Sequence, residues 1–410
     1  MGNRTPAPPT IGERIRQLRL QRKPSMTQRE VAERAGVSVD LISKLEQGVK
    51  HTALLTSLHK IARALDVDVA VLLAQRERMD RIDVASGQDD DQDGGVLAIR
   101  RAIIDLWEDG APVTVEELTR EARYAWSAYW ASRVDLLGSM IPSFITAARA
   151  TARAKPSPLV HAAVSDAYGV AGSVLVQLGH NDLAFLAMER ALAAADRSED
   201  QLRRAAVAGW TSWLLMHQTG TLDQARRLAL AEADQVEPRL RNARPEQLAV
   251  WGGLLLSAGV AAARNDRAAE ADDIINLAES AAVRLNGNER EVRIDHDRPF
   301  GVPVVIQVAV DASVVTDRAA RALELAKRMP PDAALPAATR ARHLTDVAAA
   351  QTTLGRDTQA TDTLLEIERQ APDFMRYQAY PRVIVRELLE RERRARTPRL
   401  RALAVRLNVA

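Results

Sequence analysis

Residues 26–48 read MTQREVAERAGVSVDLISKLEQG, two short helical patterns on either side of a single glycine. Thr27 stands where an N-cap belongs and Glu30 follows three residues later. That spacing is a capping box and predicts a helix over 28–35. Gly36 ends it, because the tight turn that follows favours a residue without a Cβ. Ser38 caps a second helix over 38–47, which turns Leu41, Ile42 and Leu45 inward and stops at Gly48. Two short helices joined through Ala35, Gly36 and Val37, with apolar residues where they cross, are what a helix-turn-helix requires.

Outward from this motif the same reading continues. Residues 11–22 place Ile11, Ile15 and Leu18 on one face, with Arg14, Arg16, Arg19 and Arg22 mostly outside it, until Pro24 and Ser25 break the helix. Leu54, Leu58, Ile61, Ala62 and Leu65 mark a fourth amphipathic helix and 69–73 a short fifth. In order and content, residues 11–73 resemble the Cro/C1 repressor-type (XRE) helix-turn-helix family. Thr27-Gln28, Ala32, Gly36, Val37, Ile42, Leu45, Glu46 and Gly48 carry the likeness. The departure is VKHTA after Gly48, where the family usually has a proline before its fourth helix.

The resemblance implies binding to double-stranded DNA, with 38–47 as the recognition helix and Ser38, Val39, Asp40, Ser43 and Lys44 toward the groove. It also implies that Gln28 meets phosphate and helps orient that helix. The residue types permit this. Serine bonds either base edge, valine packs on a thymine methyl, aspartate accepts from cytosine N4, and lysine suits phosphate. Asp40 reads equally well as a solvated helix-start residue favoured by the helix dipole.

Charge divides the chain in the same place. Residues 1–82 hold 15 Lys and Arg against 9 Asp and Glu, and residues 83–95 hold five Asp and no base, while the remainder is close to neutral. The expected organisation is therefore a basic DNA-binding domain (1–82), an acidic flexible linker (83–95), and a large helical domain (96–410). The 410 residues contain no cysteine, which closes off disulfides and cysteine-ligated metals. No run of eighteen apolar residues appears, and MGNRTPAPPT lacks an apolar signal core. A cytoplasmic protein without a membrane role is expected.

From Val96 onward nearly every segment is an alanine- and leucine-rich amphipathic helix. The β-branched run VPVVIQVAV (302–310) is a strand by propensity, but its neighbours are helical, so a buried helix is expected. Small residues recur around Gly179, Gly220, Asp266, Val314 and Gly355, at spacings of 41, 46, 48 and 41 residues. The units resemble tetratricopeptide (TPR) repeats, although their period exceeds the usual ~34 residues. The fold class expected is all-α, a five-helix Cro/C1-type domain followed by a TPR-like α-solenoid with one or two further pairs before Leu159.

By TPR position the concave face is lined by Ser173, Trp210, His217, Gln218, Arg264, Asp311, Arg342 and Thr345. Trp210, His217 and Gln218 form the best cluster for a peptide or small-molecule effector. Trp210 and Trp213 read also as plain packing between helices. The aromatic concentration Trp107, Tyr124, Trp126, Tyr129 and Trp130 is core, ligand pocket or dimer surface, with core favoured. Asp295, His296 and Asp297 are adjacent and cannot all converge on one ion, so no metal is expected. The PFG of 299–301 resembles an FGP-type signature of actinobacterial regulators, which the actual FGVPV departs from.

Domain order resembles that of Gram-positive peptide-sensing regulators. The function expected is a homodimeric transcription regulator whose helical domain senses a signal. The alternative is a DNA-targeted protein–protein scaffold without a small ligand. No catalytic constellation and no cofactor are expected.

Overall fold

The computed structural model of the chain describes residues 10–22, 24–50, 53, 55–67, 69–73, 95–105, 110–218, 220–239, 243–285, 299–391 and 398–409. Among these residues there are helices and no strand. The acidic stretch 83–94, Trp107 and the Asp295–Asp297 loop lie outside the described residues, as do His51, Thr52 and Leu54.

The first five helices are α1 (Ile11–Gln21), α2 (Gln28–Ala35), α3 (Val39–Glu46), α4 (Leu55–Ala64) and α5 (Val69–Leu73). Thr27 and Glu30 form the expected capping box, and Thr10 with Glu13 forms a second one at the start of α1. Gly36 takes φ +60°, the left-handed conformation that the turn demands. Ile15, Val31, Ile42, Leu45, Leu58 and Ile61 are buried where the helices cross. At Gly12, α1 lies so close to α3 that a Cβ there would fall 1.7 Å from the Leu45 carbonyl oxygen.

After α6 (Val96–Ile104) come six antiparallel pairs. They are α7 (Val115–Trp130) with α8 (Val134–Ala154), α9 (Pro158–Gln177) with α10 (Asn181–Arg197), and α11 (Gln201–Leu215) with α12 (Leu222–Gln235). Then follow α13 (Pro245–Arg264) with α14 (Ala268–Leu285), α15 (Val302–Val315) with α16 (Ala319–Ala326), and α17 (Ala337–Thr353) with α18 (Asp357–Gln370). Helices α19 (Pro372–Tyr377), α20 (Ala379–Arg391) and α21 (Pro398–Arg406) complete the chain.

Each pair turns on one left-handed residue: Ser132, Gly179, Gly220, Asp266, Asp317 and Gly355. The fourth turn anticipated from sequence, Val314, is thereby corrected to Asp317. Val314 is buried inside α15, whose apolar face continues past it. The same burial explains why the β-branched run is helical, since α15 is packed between neighbouring helices. Small residues let the paired helices approach, as where Gly172 faces Met188 across α9 and α10.

Two consequences of the stacking were not legible in the sequence. The array curls until α17 packs on α7, and Tyr377 donates a 2.5 Å hydrogen bond to Asp135 on α8. In addition, α4 and α5 dock on α20, so that the apolar core of the first five helices runs on into that of α15–α21. Polar ties follow the seam: His59 Nε2 to Tyr380 Oη at 3.0 Å, Lys60 to Asp317 at 2.6 Å, and Arg63 to Asp266 at 2.7 Å. The Gly220 amide donates to the Asp66 carbonyl at 2.8 Å.

Helices α9 and α13 are long and apolar enough to cross a membrane by length and composition. However, 83% of the apolar window of each is buried within the array, which accounts for their composition.

Candidate nucleic-acid interface and ligand cavity

Helix α3 begins at its cap, where Ser38 Oγ accepts from the Leu41 amide at 3.1 Å. Val39 stands 44% exposed beside it, an apolar side chain with no core role. Asp40 and Lys44, one turn apart on the outer face, form an ion pair of 2.7 Å. Ser43 Oγ accepts from the Gln47 side-chain Nε2 at 3.0 Å. Ser38, Val39, Asp40, Ser43 and Lys44 thus lie along one helix, two of them engaged with each other. Arg16, Arg34 and Lys50 are exposed on the same small domain and make no ion pair among the described residues.

What holds α3 in place is Glu46. Arg19 from α1 grips its carboxylate through two hydrogen bonds of 2.8 Å, and Gln28 from the start of α2 donates a third of 2.8 Å. Burial alone would push the Glu46 carboxyl up. The bonds from Arg19 and then Gln28 outweigh it and keep the group below the ordinary carboxylate range. Gln28, expected to meet phosphate and to help orient the recognition helix, braces α2 against α3 through this bond.

The concave side of the array holds a cavity of about 940 Å³, counting the space at its mouth. Its walls come from α7, α9, α11, α13, α15 and α17, the first helix of every pair. One end is aromatic. Trp210 stacks on Trp126 at 5.3 Å and meets Trp130, Tyr129 and Trp213 at 5.7, 5.7 and 5.8 Å. Beneath them the Trp126 indole donates to Asp166, which pairs with Arg203 at 2.8 Å, both side chains only 6% exposed. This buried bridge joins α7, α9 and α11 under the aromatic floor.

The other end of the cavity is charged, with Arg264, Asp311 and Arg342 from three successive inner helices. The same three residues line a second cavity, of about 950 Å³ on the same measure. Its opposite wall is the first domain itself, through His59, Ala62, Arg63, Val67, Val69 and Leu73. Asp346, one turn beyond Arg342, also lines it and is only 3% exposed. Burial, and next the negative charge of Asp311, push the Asp346 carboxyl well above its usual range. Arg342, Arg264 and a hydrogen bond with Gln307 act against that shift. Among the described residues Asp346 Oδ2 has no hydrogen-bond partner, and Arg342 makes neither a hydrogen bond nor an ion pair.

Of the effector candidates, Trp210, Arg264, Asp311 and Arg342 line the first cavity, while His217 and Thr345 line the second. Gln218 sits in the α11–α12 turn and lines neither. Ser173 is fully buried and donates to the Gly169 carbonyl at 2.9 Å. Of the aromatic concentration, Trp126 and Tyr129 are buried, Tyr124 is exposed, and Tyr129 and Trp130 reach the cavity. Sequence reasoning missed Asp346 as a cavity residue and kept Trp130 at a ligand pocket only as a reading second to core. The signal available for Asp346 was its place four residues after Arg342, on the same helix face.

A helix-turn-helix family model matches residues 15–72, the segment from the middle of α1 to α5. No curated protein matches the chain. No solved structure matches it either. The match makes the first five helices a helix-turn-helix DNA-binding domain of the kind found in transcription regulators, followed by a larger all-helical region.

Proposed function

We propose that this protein is a sequence-specific transcription regulator whose TPR-like helical region senses a small effector and transmits its presence to the DNA-binding helices. The observation that carries the reading is the shared seam. Arg264, Asp311 and Arg342 face the aromatic cavity on one side and, on the other, a cavity walled by α4 and α5. A ligand that reorders this seam acts on the surface against which the DNA-binding domain rests, giving it a differential contact with two arrangements of the domains. DNA binding itself rests on Ser38, Val39, Asp40, Ser43, Lys44 and Gln28. One such module reads few base pairs, so the protein acts as a homodimer on half-sites about one helical turn, ~34–36 Å, apart.

The test is mass spectrometry of the full chain purified from its native extract, followed by DNA-binding titrations with and without the copurified molecule. A stoichiometric small molecule that shifts affinity at least fivefold is expected. A stoichiometric protein partner with no small ligand would favour the scaffold reading instead. Light scattering of the protein–DNA complex should give two chains per duplex, and a single chain would remove the dimer from the proposal.

A further inference from the structure

We propose that the seam between the two cavities binds the head group of a free aromatic amino acid, whose ring enters the cavity floored by Trp210. This rests on the sensing role proposed above and narrows it to one ligand class. Two observations support it independently of each other. The first is the pair of unused polar groups. The Arg342 guanidinium lines both cavities with no hydrogen bond or ion pair among the described residues, and Asp346, which lines the second, keeps a buried Oδ2 without a hydrogen-bond partner. A guanidinium fork suits a carboxylate, and an isolated buried carboxyl oxygen requires a donor. These residues stand four apart on α17, so their Cβ atoms are about 6 Å apart. The complementary ligand presents an anion and an N–H donor side by side. The α-carbon of a free amino acid does this, whereas a peptide separates the two charges by its length.

The second observation is the shape and chemistry of the space beyond. Trp130, Trp213 and Trp210 offer flat aromatic surface, and rings prefer stacked or edge-on partners there. A flat ring attached to a zwitterionic head fills both features at once. An aliphatic acid uses only Arg342, and an aromatic amine uses only Asp346.

Calorimetric titration of the full chain with L-phenylalanine, L-tyrosine and L-tryptophan identifies the tightest of the three. That one is then compared with its decarboxylated amine and with its des-amino acid. Each truncated probe is expected to bind at least tenfold more weakly. In Arg342→Gln the amino acid should lose its advantage over the amine, and in Asp346→Asn its advantage over the des-amino acid. Should either variant fail to fold, the series on the natural chain decides alone. Equal affinity for the amino acid and its des-amino counterpart overturns the inference, as does the absence of binding by all three at millimolar concentration. If a native ligand without a zwitterionic head copurifies and shifts DNA affinity, this inference fails while the sensing role stands. If nothing copurifies and no probe binds, both fail.

Discussion

At the scale of single residues, the recognition helix is governed by two charges and their partners. Glu46 holds α3 against α1 and α2 through Arg19 and Gln28, so Glu46→Ala leaves the largely buried Arg19 guanidinium with the Met26 carbonyl but without its carboxylate. A loss of ~1–3 kcal/mol in unfolding free energy is expected from denaturant titration. Lys44, in contrast, is paired with the exposed Asp40, where an ion pair contributes little to stability. Its removal should act on DNA instead. Lys44→Ala deletes a cation from the outer face and bares a carboxylate beside the phosphates, so binding to all sequences weakens. Adding Asp40→Ala should restore part of that affinity; filter binding or fluorescence anisotropy reads both. A double variant no tighter than Lys44→Ala would show that Asp40 stands away from the duplex.

His343 supplies a pH dependence of a different origin. Burial, and secondarily the charge of Arg340, lower its pKa to about 4. Because the folded value lies below the unfolded one, its stabilising effect is present above pH 6.5 and is lost as pH falls toward 4. The magnitude over that window is ~2–3 kcal/mol. Thermal melts of the natural chain and of His343→Leu at pH 7.5, 5.5 and 4.5 should therefore show the natural chain losing melting temperature relative to the variant as the pH drops.

At the scale of elements, caps and crossings decide. The helix-turn-helix was legible because Thr27, Glu30, Gly36 and Ser38 are local devices, each acting within four residues of itself. Gly12 was not flagged in the same way, since its role is a contact with α3 across the bundle. Gly12→Ala would press a methyl into the backbone around Leu45. The destabilisation expected is ~1–3 kcal/mol, in spite of the better helix propensity of alanine. A melting temperature unchanged or raised would show that α1 slides freely on α3. In the array the corresponding element-scale device is the Asp166–Arg203 pair beneath Trp126. Asp166→Ala removes the carboxylate that pairs with the buried Arg203 and should cost ~3–5 kcal/mol. The turn at Asp317 eluded the repeat pattern, which placed it three residues early at Val314. An aspartate takes up the left-handed conformation instead, at φ 63°.

At the scale of the whole molecule, the DNA-binding helices are docked on the array by an apolar seam with ion pairs along its rim. Lys60→Glu sets two carboxylates against each other at Asp317, and adding Asp317→Lys restores the attraction in reverse. Hydrogen exchange of α5 and α20 should quicken in the single variant and return in the double. The change should be about 1.5- to 5-fold, because a half-exposed pair contributes ~0.2–1 kcal/mol. Exchange that is indifferent to both variants would show that the apolar contact alone holds the domains together.

The sequence by itself determined the all-helical class, the helix-turn-helix, the buried helical state of the 302–310 run and most of the pair turns. These follow from period and capping, which act over a few residues, and from the absence of polar alternatives on the buried faces. The four charged and aromatic effector candidates at the cavity, Trp210, Arg264, Asp311 and Arg342, followed from repeat position alone, but Gln218 and Ser173 were assigned by the same rule and point elsewhere. Only the tertiary structure decided that the array curls until α17 reaches α7, that α4 and α5 close a second cavity, and that Asp346 is left with an unpartnered oxygen inside it. The reason is additive. Each pair rotates slightly on the one before, and the rotation summed over six pairs is set by many small packing contacts, none of which has a sequence signature of its own.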